Sequence, residues 1–282
     1  TFVAVKIRNK RHIAMIPVRA KKNLGQHFLK DKEIADRIAA TLDDFSSLPV
    51  LEVGPGTGML TQFLLQRERD LTVVEIDRES IDYLHTHFPE LQDRILQQDF
   101  LRMNLSKYYN GEFCVIGNYP YNISSQIFFK VIEHREQIPC CSGMIQKEVA
   151  ERMVASPGSK SYGILSVLLQ AWYDIEYLFT VNEQAFIPPP KVKSAVVRLT
   201  RNRRKQLDCN EKLFKTVVKT SFNQRRKMLR NSIKSLLSDE SPLPDDPMLT
   251  KRPEQLSIKQ FEQLTNMLEP LVRQAPSEEK ND

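Results

Sequence analysis

Gly117-Asn118-Tyr119-Pro120-Tyr121-Asn122 is the stretch of this chain best equipped for chemistry. A carboxamide does not titrate near neutrality, so Asn118 is no general base. Its side-chain oxygen can accept a hydrogen bond from an amino group, and the Tyr119 carbonyl can accept a second. Tyr121 offers a flat ring on which a planar amine can stack. Two acceptors favour a tetrahedral nitrogen with its lone pair free to attack, so positioning and fixed dipoles would supply most of the acceleration.

A second constellation is spaced along the preceding residues. Glu52-Val53-Gly54-Pro55-Gly56-Thr57-Gly58 is a glycine-rich turn, Glu75 follows Gly54 by 21 residues, and Asp99 comes later still. Glycines let the backbone turn sharply and approach a ligand. Glu75 can accept both hydroxyls of a ribose, and Asp99 can take hydrogen bonds from an adenine amino group. The spacing is not G-x-G-x-x-G, and no Lys-Ser/Thr pair follows, which excludes a P-loop. A bare strand-to-helix turn would explain the glycines but not the two acids. The set favours an adenosine without phosphates, and S-adenosylmethionine fits.

These residues must be held by strands, and the chain supplies them. Residues 50–53, 71–76, 94–98, 113–116 and 142–146 are short apolar runs. Helical patterns fall between them at 59–66, 80–87 and from 123. Strands alternating with helices predict βαβ units and a parallel sheet. Gly54, Glu75, Asp99 and Asn118 then stand at or just past the C-terminal ends of four strands, where open α/β sheets bind ligands. Residues 161–171 read as a helix, and 173–181 and 194–200 as closing strands. Pro188-Pro189-Pro190 can be neither helix nor central strand and predicts a stiff loop that holds Phe186. After 200 the apolar spacing is helical at 213–222, 228–237 and 258–268. A boundary falls at 201–207, dividing a basic extension (1–21), a catalytic domain (22–204) and a helical C-terminal domain with a polar tail (205–282).

Charge is unevenly spread. The net +6 over 282 residues conceals two basic segments. Residues 1–32 hold nine Lys and Arg against one Asp, and 201–235 hold twelve against two acids. The 168 residues between are net acidic, with fifteen Lys and Arg against twenty-two Asp and Glu. Such density on short segments points to a phosphate backbone. The segment 222–234 reads as a basic helix carrying Arg225, Arg226, Lys227, Arg230 and Lys234. Four cysteines without C-x-x-C spacing argue against a metal centre or a disulfide framework. No apolar run approaches the ~20 residues of a membrane helix. A cytoplasmic location is expected. Residues 1–14 lack the pattern of a secretory or transit signal, Met15 is a candidate natural start, and poor order is expected there and in the tail from 274.

Taken together, these segments resemble the ribosomal RNA adenine dimethyltransferases, the family that includes the kasugamycin-sensitivity methyltransferase. The resemblance runs from about Lys22 to about Leu237. It rests on seven ordered motifs: Asn23-Leu24-Gly25-Gln26-His27-Phe28-Leu29, the 52–58 turn, Glu75, Gln98-Asp99, 117–122, 186–199 with Gln146-Lys147-Glu148-Val149 before it, and 222–231. It implies a Rossmann-like α/β methyltransferase sheet with a small all-α C-terminal domain. It implies S-adenosylmethionine as cofactor and N6,N6-dimethylation of two adjacent adenosines in the 3′-terminal hairpin of small-subunit (16S) rRNA. By position, His27, Leu29, Gly54, Glu75, Asp99 and Asn118 would contact the cofactor. Asn118, Tyr121 and Phe186 would hold the flipped base, with Tyr121 and Phe186 as its two faces. Arg225, Arg226, Lys227 and Arg230 would meet rRNA phosphates. The expected protein is a monomer that acts on the small subunit, with no metal and no membrane. The chain departs from the family's commoner pattern at His27, usually Asn, and at Tyr119, usually Leu. Tyr119 could alter the pocket rim. Two rivals stay open: a large-subunit rRNA methyltransferase of the macrolide-resistance type, and an assembly or transcription factor in which catalysis is secondary. A DNA adenine methyltransferase is a weaker third.

Overall fold

Seven strands form one mixed sheet in the order β4-β3-β2-β5-β6-β9-β7. In chain order the main elements are β1 (Phe28–Leu29), α1 (Lys32–Ala40), β2 (Val50–Val53), α2 (Thr61–Gln66), β3 (Leu71–Glu75), α3 (Arg78–His87), β4 (Ile95–Gln97), β5 (Cys114–Asn118), α4 (Ser124–Glu133), β6 (Cys140–Gln146), α5 (Lys147–Met153), α6 (Ile164–Gln170), β7 (Tyr173–Val181), β8 (Phe186–Ile187), β9 (Ser194–Arg201), α7 (Glu211–Asn223), α8 (Leu229–Ser232) and α9 (Ile258–Leu268). The computed structural model describes residues 18–238 and 242–272. The expectations for residues 1–14, Met15 and the tail from 274 lie outside them. Of the basic extension 1–21, only 18–21 are described, and there Lys21 is tied down by Asp77 and Glu79.

Strands β2 to β6 run parallel, and β9 is antiparallel to both β6 and β7. Their side chains alternate between two apolar clusters, as a period of two requires. Val50, Cys114, Ile116 and Met144 face the cluster formed with α1 and α2, while Leu51, Val115, Cys141 and Ile145 face the one formed with α4 and α6. Covering both faces is what allows parallel strands this apolar. The helices start where the chain supplies caps. Asp31, Asp77, Asn210 and Ser257 each accept a backbone N–H of the first turn of α1, α3, α7 and α9. The C-terminal helices share the α4/α6 cluster through Phe214, Val217, Val218 and Phe261.

Two elements differ from expectation. Residues 222–234 are not one basic helix. α7 ends at Asn223, Arg225 to Lys227 form a turn, and α8 is only four residues long. Residues 223–227 offer no apolar side chain to bury, and adjacent like charges repel along a helix. The Leu229 N–H is taken by the Lys251 carbonyl at 2.8 Å, so it cannot continue a helical ladder. Phe186, expected on a proline-held loop, is instead half of β8, paired antiparallel with β1 in the register Leu29↔Phe186. The prolines begin one residue after that strand ends.

Candidate active site

A cleft of about 230 Å³ opens at the C-terminal ends of β2, β3, β4 and β5. Strand order reverses around β2, so the loops after β2 and β5 diverge and leave this crevice. His27, Leu29, Gly54, Glu75, Asp99, Asn118 and Tyr121 all line it. Phe186 does not line it.

The loop after β2 shapes one wall. Gly56 has φ +56°, and a Cβ there would stand 2.8 Å from Cε1 of Phe28. Any other residue would push off the N-terminal segment that covers the loop. At Gly54 an added Cβ would meet nothing nearer than Pro120 Cδ at 3.9 Å, so its backbone borders open space. Glu75, at the end of β3, is 6% exposed. Its Oε2 accepts from Gly56 N at 3.2 Å, and its Oε1 accepts from Ile76 N and Asp77 N at 2.8 and 2.9 Å. Burial raises its pKa above the ordinary carboxylate value, and the three amides oppose that rise. Asp99 accepts from Leu101 N at 2.9 Å through Oδ1. Its loop is pinned by the buried Lys130 of α4, whose Nζ donates to the carbonyls of Leu101 and Met103. Burial lowers the Lys130 pKa.

One acid lies deeper. Glu52 is 1% exposed and accepts a hydrogen bond from Thr61 Oγ1 at 2.7 Å. Burial pushes its carboxyl up to about 8; the Thr61 hydrogen bond opposes this and the Glu75 charge adds to it. Three acidic side chains, Glu52 among them held largely neutral by burial, therefore border the cleft, and among the described residues no Lys or Arg lines it. Phosphates need cationic or amide-rich cradles. Acidic walls suit a sugar diol and a cationic ligand, which is the chemistry of S-adenosylmethionine.

Residues 23–29 cover the cleft and are clamped from two sides. Asp77, the N-cap of α3, accepts from Gln26 Nε2 at 3.1 Å and from Lys21 Nζ. Burial alone would raise the Asp77 pKa, but these two bonds carry it below the ordinary value. On the other side, Asn118 Nδ2 donates to the His27 carbonyl at 3.0 Å. A carbonyl can only accept, so this bond fixes the amide and turns Oδ1 away as an acceptor.

The rest of the motif is divided between core and cleft. The Tyr119 side chain is 1% exposed, beside Gly117 and Gly143, where a Cβ on Gly143 would come within 2.6 Å of its ring. Its hydroxyl donates to the Ser142 carbonyl at 2.7 Å, and burial holds its pKa well above the ordinary value. The Tyr119 ring is therefore packed in the core, while the residue itself still borders the cleft. Tyr121 hydrogen-bonds the buried Ser194 hydroxyl through its own, and its ring stacks on His27. The second face expected of Phe186 is not offered in this arrangement, since that ring is 1% exposed among apolar neighbours.

Sequence reasoning named Glu52 and Gln26 only as members of their motifs, without a role, and missed Lys21, Asp77 and Lys130. Glu52 carried a further signal: an acid inside an apolar strand. Lys21, Asp77 and Lys130 carried none, because their partners are 27 to 56 residues away. The basic residues lie elsewhere. Arg226, Lys227 and Arg230 are exposed, whereas Arg225 is half-buried and donates to the Ser159 carbonyl at 3.3 Å. Among the described residues no helix is long and apolar enough to cross a membrane.

Residues 18–269 match the family model described as ribosomal RNA adenine dimethylase. A Parabacteroides distasonis protein named ribosomal RNA small subunit methyltransferase A is 70% identical over 248 residues, covering 88% of this chain and 93% of that protein. The Porphyromonas gingivalis protein of the same name is 60% identical over 257 residues, covering 90% and 100%. Among solved structures, a dimethyladenosine transferase from Plasmodium falciparum is similar with a TM-score of 0.68 at 26% identity, covering 86% and 97%. The 23S rRNA methyltransferase ErmE is similar with a TM-score of 0.59 at 26% identity, covering 86% and 99%.

Proposed function

The chain belongs to the ribosomal RNA adenine dimethylase family, and on that premise we propose how its own residues carry out the reaction and on which target. The protein is an S-adenosylmethionine-dependent methyltransferase that dimethylates adenine N6 in small-subunit (16S) rRNA. The cofactor supplies a methyl group already activated on a sulfonium. Glu75 would hold the ribose through the acceptor capacity its three amide bonds leave free, Asp99 would take the adenine amino group, and the Gly54 backbone would border the cofactor. Leu29 and the segment around His27 close over it.

The observation that carries this reading is the Asn118 amide. Its nitrogen is committed to the His27 carbonyl on the cleft lining, which leaves its oxygen as the acceptor for the target amine. The Tyr119 carbonyl is the second acceptor. Both bonds strengthen as the nitrogen becomes tetrahedral, which stabilises the transition state more than the ground state. Tyr121 supports the flipped base from one side. The targets are the two adjacent adenosines of the 3′-terminal hairpin. The exposed Arg226, Lys227 and Arg230, with Arg225 behind them, meet rRNA phosphates and give affinity that falls with salt. The enzyme works as a monomer in the cytoplasm, on the small ribosomal subunit, without a metal. The large-subunit reading is not favoured: similarity to the 23S enzyme is 26%, against 70% to a small-subunit methyltransferase.

Asn118→Ala tests the mechanism. It is expected to abolish transfer even at saturating cofactor while leaving the fold intact. Near-normal dimethylation by this variant would rule the mechanism out. For the target, labelled cofactor is supplied with undermethylated small subunits, naked small-subunit rRNA and large-subunit rRNA, and the modified base is mapped. Label in the large-subunit RNA alone would overturn the assignment.

A further inference from the structure

We infer that Asp77 is a positioning residue for the cofactor: it ties the strap that covers the cleft to the acid that would hold the ribose, and so sets how fast the cofactor leaves. The inference rests on the methyltransferase reading above and deepens it.

Both halves of Asp77 are engaged. Its backbone N–H donates to Glu75 Oε1 at 2.9 Å. Its carboxylate, in a residue only 3% exposed, takes four donors. Two come from the first turn of α3: Glu79 N at 3.3 Å on Oδ1 and Ser80 Oγ at 3.2 Å on Oδ2. These are what a helix N-cap supplies. The other two come from 51 and 56 residues earlier in the chain, Gln26 Nε2 at 3.1 Å and Lys21 Nζ. Starting a helix does not explain them.

The strap is built to be gripped at this point. Residues 21–26 close on themselves: Gln26 Oε1 accepts from Lys21 N at 2.8 Å, and Gly25 N donates to the Lys22 carbonyl at 3.0 Å. The two groups that reach Asp77 are therefore the two ends of one closed turn, and the carboxylate holds that turn as a unit. From there residues 23–29 run along the cleft lining, with Phe28 against Gly56. The Gly56 amide in turn donates to Glu75 Oε2 at 3.2 Å. One oxygen of Glu75 is thus fixed by the Asp77 amide, and the other by a residue that the strap covers.

The strap's other holds are weaker. β1 is two residues long and pairs with the two of β8. Asn118 adds one neutral hydrogen bond at the His27 carbonyl. Asp77 supplies the ionic hold, and charge-assisted bonds are roughly twice as strong as neutral ones. Dimethylation takes two methyl groups per base, so the cleft must release one spent cofactor and reload before the base is finished. Since residues 23–29 line the cleft, the strap has to loosen for that exchange, and the bonds at Asp77 resist it most.

The test measures cofactor release from the full chain. Bound tritiated S-adenosylmethionine is chased with excess unlabelled cofactor, and calorimetry gives the affinity. Asp77→Asn keeps an oxygen for the N-cap but puts an NH2 where the second oxygen was. Lys21 then loses its counter-charge and Gln26 Nε2 its acceptor. Release is expected to be about 10- to 100-fold faster, with the KM for cofactor raised to match and the KM for subunits near normal. Lys21→Met with Gln26→Met removes the same grip from the strap side and leaves the cap of α3 in place. It is expected to speed release to a similar extent. Combining all three changes should add little more, because they break the same bonds. Release at the wild-type rate from Lys21→Met/Gln26→Met overturns the inference, whether or not Asp77→Asn folds. So do effects that add in full in the triple variant, or an Asp77→Asn protein that loses stability in urea yet releases cofactor normally. Wild-type protein that binds no S-adenosylmethionine would instead overturn the methyltransferase reading itself.

Discussion

Replacing Glu52 by Gln should change how stability depends on pH, by an amount the structure allows to be worked out. The carboxyl lines the cleft at 1% exposure, with Thr61 as its one hydrogen-bond donor among the described residues. Burial is the main cause of a rise from 4.5 to about 8. The folded value is above the unfolded one, so the contribution of Glu52 is fully present below about pH 4.5 and is lost as pH rises through about 8. At about 1.4 kcal/mol per pH unit, the upper bound is about 5 kcal/mol. Local relaxation and water entry reduce such penalties, so about 2–3 kcal/mol is expected between pH 5 and 9. Glutamine keeps an acceptor for Thr61 and does not titrate. Urea unfolding of both proteins, without cofactor, at each pH from 5 to 9 gives the comparison. The stability of Glu52→Gln relative to wild type should climb with pH and level off above about 8. A constant difference would show that Glu52 is not held neutral by burial, and the acidic-wall argument would fall with it. At saturating cofactor the climb should shrink, because a nearby cation favours the ionised carboxylate.

Three further outcomes follow from the same geometry. Lys130→Met removes the donor to the Leu101 and Met103 carbonyls. It should cost about 2 kcal/mol in urea unfolding and weaken cofactor binding measured by calorimetry; full cofactor affinity would show that this lysine does not position the Asp99 loop. Tyr119→Phe leaves the buried Ser142 carbonyl without its hydroxyl donor. It should lose about 1–2 kcal/mol of stability and keep the wild-type kcat, whereas a large drop in kcat would place Tyr119 in the pocket after all. Changing Arg225, Arg226 and Lys227 together to Ala should weaken subunit binding and reduce the salt slope by about 1.5 to 2, since Arg225 is half-committed to Ser159. An unchanged slope would remove this turn from the phosphate contact.

Much of the site was legible in the chain because it is built at strand ends. Periodicity located β2, β3, β4 and β5 within a residue or two, and the residues that follow a parallel strand must open onto the same edge of the sheet. That is why residue spacing alone groups Gly54, Glu75, Asp99 and Asn118. The helix at 222–234 was misread for a related reason. Spacing reports apolar residues at helical intervals, but Phe222 and Leu229 satisfy that spacing from two separate helices. The competing partner, the Lys251 carbonyl, lies 22 residues beyond Leu229.

What the sequence determined by itself is the chemistry: an amide acceptor, a flat ring, a phosphate-free adenosine site and a basic surface, all carried by residue type and spacing along local elements. Tertiary structure alone decided how those groups are aimed. The Asn118 amide takes its orientation from a carbonyl 91 residues away. Phe186 is paired with Leu29 across β1 and β8, and the His27 ring stacks on Tyr121. Each of these is a contact between segments far apart in the chain, and no local pattern encodes which distant partner a hydrogen bond or a ring will meet.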